Sequence, residues 1–149
     1  MWQRVQTIFL GITVAAMFLM IFFPIWEGAE AGERVVFYPF YLKTSGADVY
    51  SPFIVVAILA IASFTVGFIE ISRFRNRMLQ VKLGALNSLL MAGTMVSAIL
   101  IARNLQSDFG AGAWGISLFM PAVGMICNSI ANRFIRRDEQ LVRESDRLR

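Results

Sequence analysis

Four long apolar runs, separated by polar segments, dominate the pattern of this 149-residue chain. They cover residues 7–25, 52–71, 81–101 and 114–131. At about 1.5 Å per helical residue, each run is close to the roughly 30 Å thickness of a bilayer core. The apolar residues come in blocks rather than at a helical or strand period, which is typical of lipid-embedded helices. The pattern predicts a single-domain, all-α integral membrane protein, folded as an antiparallel bundle of four transmembrane helices.

The segments between the runs carry their own structural signals. In the outer loop, residues 26–51, a stretch rich in valine and aromatic residues precedes a turn signal at residues 45–48. This predicts a short β-hairpin, with Pro39 at an edge or a bulge. We expect Asn76 to cap the third helix, Arg103 to end it, and Pro121 to kink the fourth helix.

Composition supports a lipid environment. The chain is 57% hydrophobic and 16% charged, with mean hydropathy +0.63, whereas soluble domains are about 45–50% apolar and about 25% charged. The net charge of +4 would suggest nucleic acid in a soluble chain. Here the basic residues flank apolar runs, so topology and anionic lipid explain them. We therefore expect membrane lipids as partners and no nucleic acid.

The basic residues also predict orientation. Of the 14 Lys and Arg residues, 11 belong to the N-terminus, the central turn through Lys82 and the tail at residues 132–149. The positive-inside rule then puts the turn at residues 72–80 and both termini in the cytoplasm. Trp2, Trp26 and Trp114 fall at span ends, as in an interfacial aromatic belt.

The first run has an alternative interpretation as a signal peptide. A basic start, an apolar core and Ala29-Glu30-Ala31 resemble one with its cleavage site. The apolar core exceeds the about 7–15 residues usual in signal peptides. We therefore expect a retained membrane anchor.

Four polar residues near the inner ends of the spans form a candidate polar cluster: Gln6, Glu70, Asn87 and Asn128. Such groups commonly join helices by hydrogen bonds, and the alternative is a pocket for a lipid headgroup, a small ligand or an ion. We expect Asn87 and Asn128 to lie within hydrogen-bonding or one-water distance. Glu70 is expected to form a salt bridge with Arg73, Arg77 or Lys82 rather than to relay protons.

Two further surfaces suggest contacts. Small residues at four-residue spacing, including Gly84, Ser88 and Gly124, predict close helix packing or a homodimer face. The tail should continue the fourth helix, either as a solvated end or docked on a partner or on the central turn. The candidate cytoplasmic interaction face comprises Arg73, Arg75, Arg77, Lys82, Arg133, Arg136 and Arg137.

Catalytic chemistry has little support in the sequence. There is no histidine, and the one cysteine, Cys127, is expected to be a buried apolar residue. Metal-ligand spacing, a phosphate-binding glycine loop and a nucleophile–base pair are also missing from the sequence. We therefore expect no cofactor, no metal and no enzyme, but a structural, assembly or accessory subunit of a homo-oligomer or larger membrane complex. The alternative is a binder or carrier of a lipid or small amphiphile.

Three segments resemble a known family. They are residues 2–7, the central residues 76–83 with 86–87, and the tail at residues 132–149. Together they are similar to a bacterial family of four-span inner-membrane proteins about 150 residues long, catalogued as a domain of unknown function. The resemblance extends over essentially the whole chain. It implies a bacterial inner-membrane location and four spans, and it implies no activity.

Overall fold

The computed structural model of the protein describes residues 2–30, 33–44, 46, 48–73 and 76–147. Within these ranges it contains four α-helices and five short strands. The helices are α1 (Trp2–Met20), α2 (Ile54–Ser72), α3 (Arg77–Phe109) and α4 (Met120–Arg147). The strands are β1 (Trp26–Glu30), β2 (Glu33–Phe37), β3 (Leu42–Lys43), β4 (Asp48–Val49) and β5 (Gly112–Trp114).

The helices form an antiparallel bundle in which each packs against its neighbour in sequence and α4 closes against α1. One end of this bundle, here the turn end, holds the α2–α3 connection, the start of α1 and the extension of α4. The opposite end, here the sheet end, carries all five strands. The predicted four-helix bundle is therefore confirmed.

Three of the helices in the described ranges are long and apolar enough to cross a membrane. These stretches are Ile54–Ser72, Arg77–Phe109 and Ile116–Val142, while α1 contributes a shorter apolar stretch at Val5–Met20. Only 28–33% of the residues in the apolar windows of the three long stretches are buried. The outward faces are strongly apolar, as shown by the exposure of Leu89 at 70% and Ile126 at 62%. A surface this apolar is compatible with a membrane protein.

The predicted hairpin is part of a larger antiparallel sheet, in the order β4-β3-β2-β1-β5. The apolar stretch at residues 35–42 is two strands rather than one, because the chain turns at Pro39. The N–H of Tyr38 donates to the carbonyl of Tyr41 at 2.9 Å across that turn. Strand β5 comes from the second outer connection, where Trp114 pairs with Trp26. The all-α prediction is wrong in this respect.

Trp26 packs in the hydrophobic core that the sheet and the helices share. Its side chain is fully buried, so it belongs to the protein interior rather than to an interfacial belt. A Cβ built on Gly28 or on Gly112 would lie 2.2 Å or 2.4 Å from atoms of its indole ring. Both positions therefore need glycine to admit the ring. The neighbouring Ile25 adds backbone bonds of 2.8 Å to Phe37 and to Gly115.

Several helix ends differ from the sequence-based boundaries. Helix α1 ends at Met20, five residues before the apolar run does, and the hydroxyl of Ser117 donates to the Met20 carbonyl at 2.7 Å. Helix α3 passes Arg103 and ends at Phe109, where Gly110 takes φ +78°. The prediction that Arg103 ends this helix is wrong.

The start of α4 explains why Pro121 does not interrupt the interior of a helix. A 3₁₀ turn, Ile116–Phe119, precedes α4, which begins at Met120. Pro121 thus lies in the first turn, where its missing N–H removes no helical hydrogen bond. The predicted kink is wrong for that reason. Two other expectations are confirmed: Asn76 Oδ1 accepts from the Leu79 N–H at 3.1 Å, and α4 continues through the tail to Arg147.

Candidate functional site

Many of the polar side chains inside the bundle lie toward its turn end. Helix α3 presents Gln80, Gly84 and Asn87 on its inward face, all of them buried. The members of this buried polar layer are Gln6, Ser63, Glu70, Gln80, Asn87 and Asn128, which are buried, and Ser88 and Asn132, which are half-buried. The layer contains Glu70, Asn87 and Asn128 of the predicted cluster, together with residues that the sequence analysis did not select. Gln6 is buried on α1, and its contact with the other three stays a prediction.

Hydrogen bonds join α2 to α3 at two levels of the layer. Ser63 Oγ donates to Asn87 Oδ1 at 2.6 Å, and Gln80 Nε2 donates to the backbone carbonyl of Glu70 at 3.1 Å. Gly67 makes room for the asparagine, because a Cβ there would lie 3.1 Å from Asn87 Nδ2. These contacts are the interhelical hydrogen bonds expected of polar groups within apolar helices.

Asn128 joins α4 to α3. Its Nδ2 donates to the Gly84 carbonyl at 2.7 Å and to Ser88 Oγ at 2.8 Å. A carbonyl only accepts, so this contact sets the orientation of the amide. The two asparagines therefore bond different partners and form no hydrogen bond with each other. Their approach to within one water of each other stays a prediction.

Glu70 is fully buried, and neither of its carboxyl oxygens has a hydrogen-bond partner. The predicted salt bridge is wrong. Ser63, Gly67 and Glu70 follow at four- and three-residue spacing on the inward face of α2, so Glu70 points into the bundle. Arg77 pairs instead with Asp138, and the other two predicted cations, Arg73 and Lys82, are exposed.

Gly84 is the point at which α2, α3 and α4 come together. A Cβ built on it would lie 2.2 Å and 2.6 Å from the amide atoms of Asn132, and 2.7 Å from Glu70 Oε1. Gly124 fulfils a similar role, with a Cβ there only 2.8 Å from Met91 Sδ. These two small residues thus serve packing within the bundle, which was the simpler of the two predictions.

Asn132 is the member of the layer that the sequence analysis missed as a cluster residue, because it lies in a segment assigned to the tail. Its four-residue spacing from Asn128 was the available signal, since residues four apart share a helix face. Asn132 Oδ1 is buried without a hydrogen-bond partner, as are Asn128 Oδ1 and Gln6 Nε2. Part of the layer is therefore polar but unpaired.

In the candidate cytoplasmic interaction face, Arg77 is paired within the protein. Arg77 Nη2 lies 3.1 Å from Asp138 Oδ2, and Arg77 Nη1 donates to the Asp138 carbonyl at 3.2 Å. This confirms the alternative in which the α4 extension docks on the central turn. The exposed cations of the face are Arg73, Lys82, Arg133, Arg136 and Arg137. Arg75 lies outside the described residues.

Metal-binding groups are sparse in the described part of the chain. No set of three or more Cys, Asp or Glu side chains there is placed to hold a metal ion. Cys127 is half-buried rather than fully enclosed as predicted. Its place on α4 beside the fully buried Asn128 leaves part of its side chain on the outer surface of the helix.

The architecture defines a small helical-bundle protein with a sheet at one end and three helices long and apolar enough to span a membrane. The chain belongs to the family described as Domain of unknown function (DUF4293), which matches residues 2–148. This confirms the resemblance to an uncharacterised family of about 150 residues. No curated protein and no solved structure matches the chain.

Proposed function

We propose that the protein is a four-span protein of a bacterial inner membrane with both termini in the cytoplasm. We further propose that it is a non-enzymatic structural, assembly or accessory subunit acting through protein contacts. Helix α1 supplies the fourth span, because its apolar stretch Val5–Met20 reaches about 24 Å and the apolar residues 21–25 follow it. The turn end carries most of the basic residues, which supports its cytoplasmic placement. The lack of histidine supports a role without acid–base catalysis.

The observation that carries the accessory role is the α4 extension beyond the apolar part of the bundle. Arg77 and Asp138 hold this extension against the start of α3. Just beyond the bridge, Leu141 is 56% exposed and Val142 is 44% exposed. Exposed apolar residues on a rigid helix outside the spans suit docking of a partner helix or groove.

Cavities flank the α4 extension. The first is lined by Phe134, Arg137, Asp138 and Leu141, and the second by Met78, Arg136, Glu139 and Gln140. Each combines apolar and charged side chains, as the rim and centre of a protein contact do. The proposed partner is therefore a protein with an apolar anchor surrounded by polar groups.

The alternative, a binder or carrier of a lipid or amphiphile, receives less support. It calls for a cavity that reaches Asn87 and Asn128, yet both side chains are fully buried. The cavities described along the α4 extension and the sheet are lined by other residues. The burial of both asparagines supports a structural role for the bundle over transport of an amphiphile.

Site-specific photocrosslinking in native membranes tests the accessory role. A photoreactive amino acid replaces Leu141 in one strain and Leu89, an exposed residue within α3, in a matched control. We expect position 141 to give one discrete protein adduct, identified by mass spectrometry, that position 89 does not give. With the photoreactive amino acid kept at position 141, that adduct should disappear when the opposing apolar contact of the identified partner is changed to glutamate. Lipid adducts alone at both positions would contradict the proposal.

A further inference from the structure

The buried polar layer has more unpaired acceptors than donors around Gly84. Within the described residues of α2 and α4, four buried oxygens lack a hydrogen-bond partner: both of Glu70 and one each of Asn128 and Asn132. Buried polar atoms nearly always have a partner, which is often an ion or water when no protein group serves. We propose that Glu70, Asn128 and Asn132 form a binding site for a small monovalent cation. This site is independent of the accessory role, which rests on the α4 extension.

The backbone at Gly84 brings the three side chains together. The Asn132 amide and Glu70 Oε1 both lie within 2.7 Å of the place that a Cβ on Gly84 would occupy. Asn128 donates its amide hydrogens to the Gly84 carbonyl and to Ser88 Oγ. Its Oδ1 is therefore left as an acceptor in a set orientation. Glycine within a helix costs about 1 kcal/mol relative to alanine, and here it admits the side chains of Asn132 and Glu70, both of which a Cβ at Gly84 would meet.

Charge and enclosure define the class of ligand. The site contains one carboxyl group and two neutral amides, so one positive charge balances it. Carboxylate and amide oxygens are ligands that hard cations prefer. A divalent ion would leave an uncompensated buried charge, which is unfavourable. Because Glu70 is fully buried, a headgroup attached to a lipid does not fit, and a small ion does.

Among the described residues, no cationic side chain of the protein occupies the proposed cation site. On α3, Arg77 is paired with Asp138 and Lys82 is exposed. Arg73 at the end of α2 and Arg133 on α4 are exposed as well. The side chains of α1 described from Val5 onward include no charged group. Glu70 is thus an ionisable group of the layer, and no cationic side chain from the described parts of the four helices balances its charge.

Thermal unfolding of the purified full chain in mild detergent tests the site. Tryptophan fluorescence reports Tm in the chlorides of lithium, sodium, potassium, ammonium and choline, at constant total chloride. We expect one small cation to raise Tm saturably, by about 3–6 °C at ten times its half-saturating concentration. Choline should give no such rise. An equal response to all five salts would overturn the proposal, because it would be an effect of ionic strength.

Matched variants test whether the cation-specific rise in Tm comes from the proposed site. Glu70→Gln keeps the shape of the side chain and removes its charge, and Gly84→Ala fills the space between Glu70 and Asn132. Both should abolish the cation-specific rise. Gly93→Ala is the control on the same helix, because a Cβ there meets only Leu59, at 3.9 Å, and it should retain the full rise. A response of Glu70→Gln at the wild-type midpoint would overturn the proposal.

A second measurement covers the case in which Gly84→Ala fails to fold. Asn132→Ala removes an oxygen without adding bulk, and equilibrium binding of radioactive sodium or rubidium reports on the site directly. We expect binding of about one ion per chain in the wild type and at least about tenfold weaker binding in Asn132→Ala. Absence of stoichiometric binding by the wild type, with the ion that raised Tm, would contradict the assignment.

Discussion

Arg77 and Asp138 are 61 residues apart in the chain, yet their side chains meet at 3.1 Å and join the start of α3 to the extension of α4. Both side chains are mostly buried, at 28% and 23% exposure. The guanidinium also donates to the Asp138 carbonyl. The extension is therefore part of the bundle up to this bridge.

Arg77→Ala should loosen the extension while leaving the spans folded. We expect a stability loss of about 1 kcal/mol or less, because partly exposed ion pairs contribute little. Amide hydrogen exchange should rise in residues 138–147 and stay unchanged in α2. Arg136→Ala, which removes an exposed cation from the same extension, is the control and should leave exchange as in the wild type. Unchanged protection of residues 138–147 in Arg77→Ala would show that the bridge does not hold the extension.

Asn128→Ala should weaken the contact between α3 and α4. Hydrogen bonds between membrane helices contribute about 0.6 kcal/mol on average and up to about 1.7 kcal/mol. Asn128 makes two such bonds, so we expect a loss of about 1–2 kcal/mol, measured by steric trapping or by unfolding in mixed micelles. In a double-mutant cycle with Ser88→Ala, the two losses should be less than additive, since one bond is shared. Fully additive losses would argue against the bond.

Gly112→Ala should destabilise the sheet, because the new methyl group meets the Trp26 ring. Overpacking a filled interior costs about 1–3 kcal/mol. Gly11→Ala is the matched control, since a Cβ there meets nothing within 4 Å. Trp26 fluorescence should move toward that of exposed indole at a lower temperature in Gly112→Ala than in either the control or the wild type. Equal transitions in all three proteins would contradict the tight packing of Trp26.

The proposed orientation predicts the location of each end of the bundle. A fluorescent-protein fusion after residue 147 should fluoresce, and an alkaline phosphatase fusion within the outer loop after Gly46 should be active. Exchanging the two reporters should abolish both signals, because the first reporter folds in the cytoplasm and the second in the periplasm. Phosphatase activity from the fusion after residue 147 would reverse the orientation.

Much of the bundle follows from local sequence. The apolar blocks specify helices because length and composition are properties of a single segment, and Asn76 caps α3 through a residue only three positions away. The polar residues Glu70, Asn87 and Asn128 were recognisable because polar groups within apolar runs stand out. Errors at helix ends, such as α3 passing Arg103, arose where apolar content and helical structure stop at different residues.

Contacts between remote segments were decided by the tertiary structure. Strand β5 exists because β1, more than 80 residues earlier, offers its free edge to Gly112–Trp114. Glu70 lacks an ion-pair partner because it lies on the inward face of α2 and because Arg77 pairs with Asp138. The sequence by itself thus determined four apolar helices and a polar, basic end. Only the packing of these helices decided which polar atoms found partners, because hydrogen bonds and ion pairs require distances that no single segment specifies.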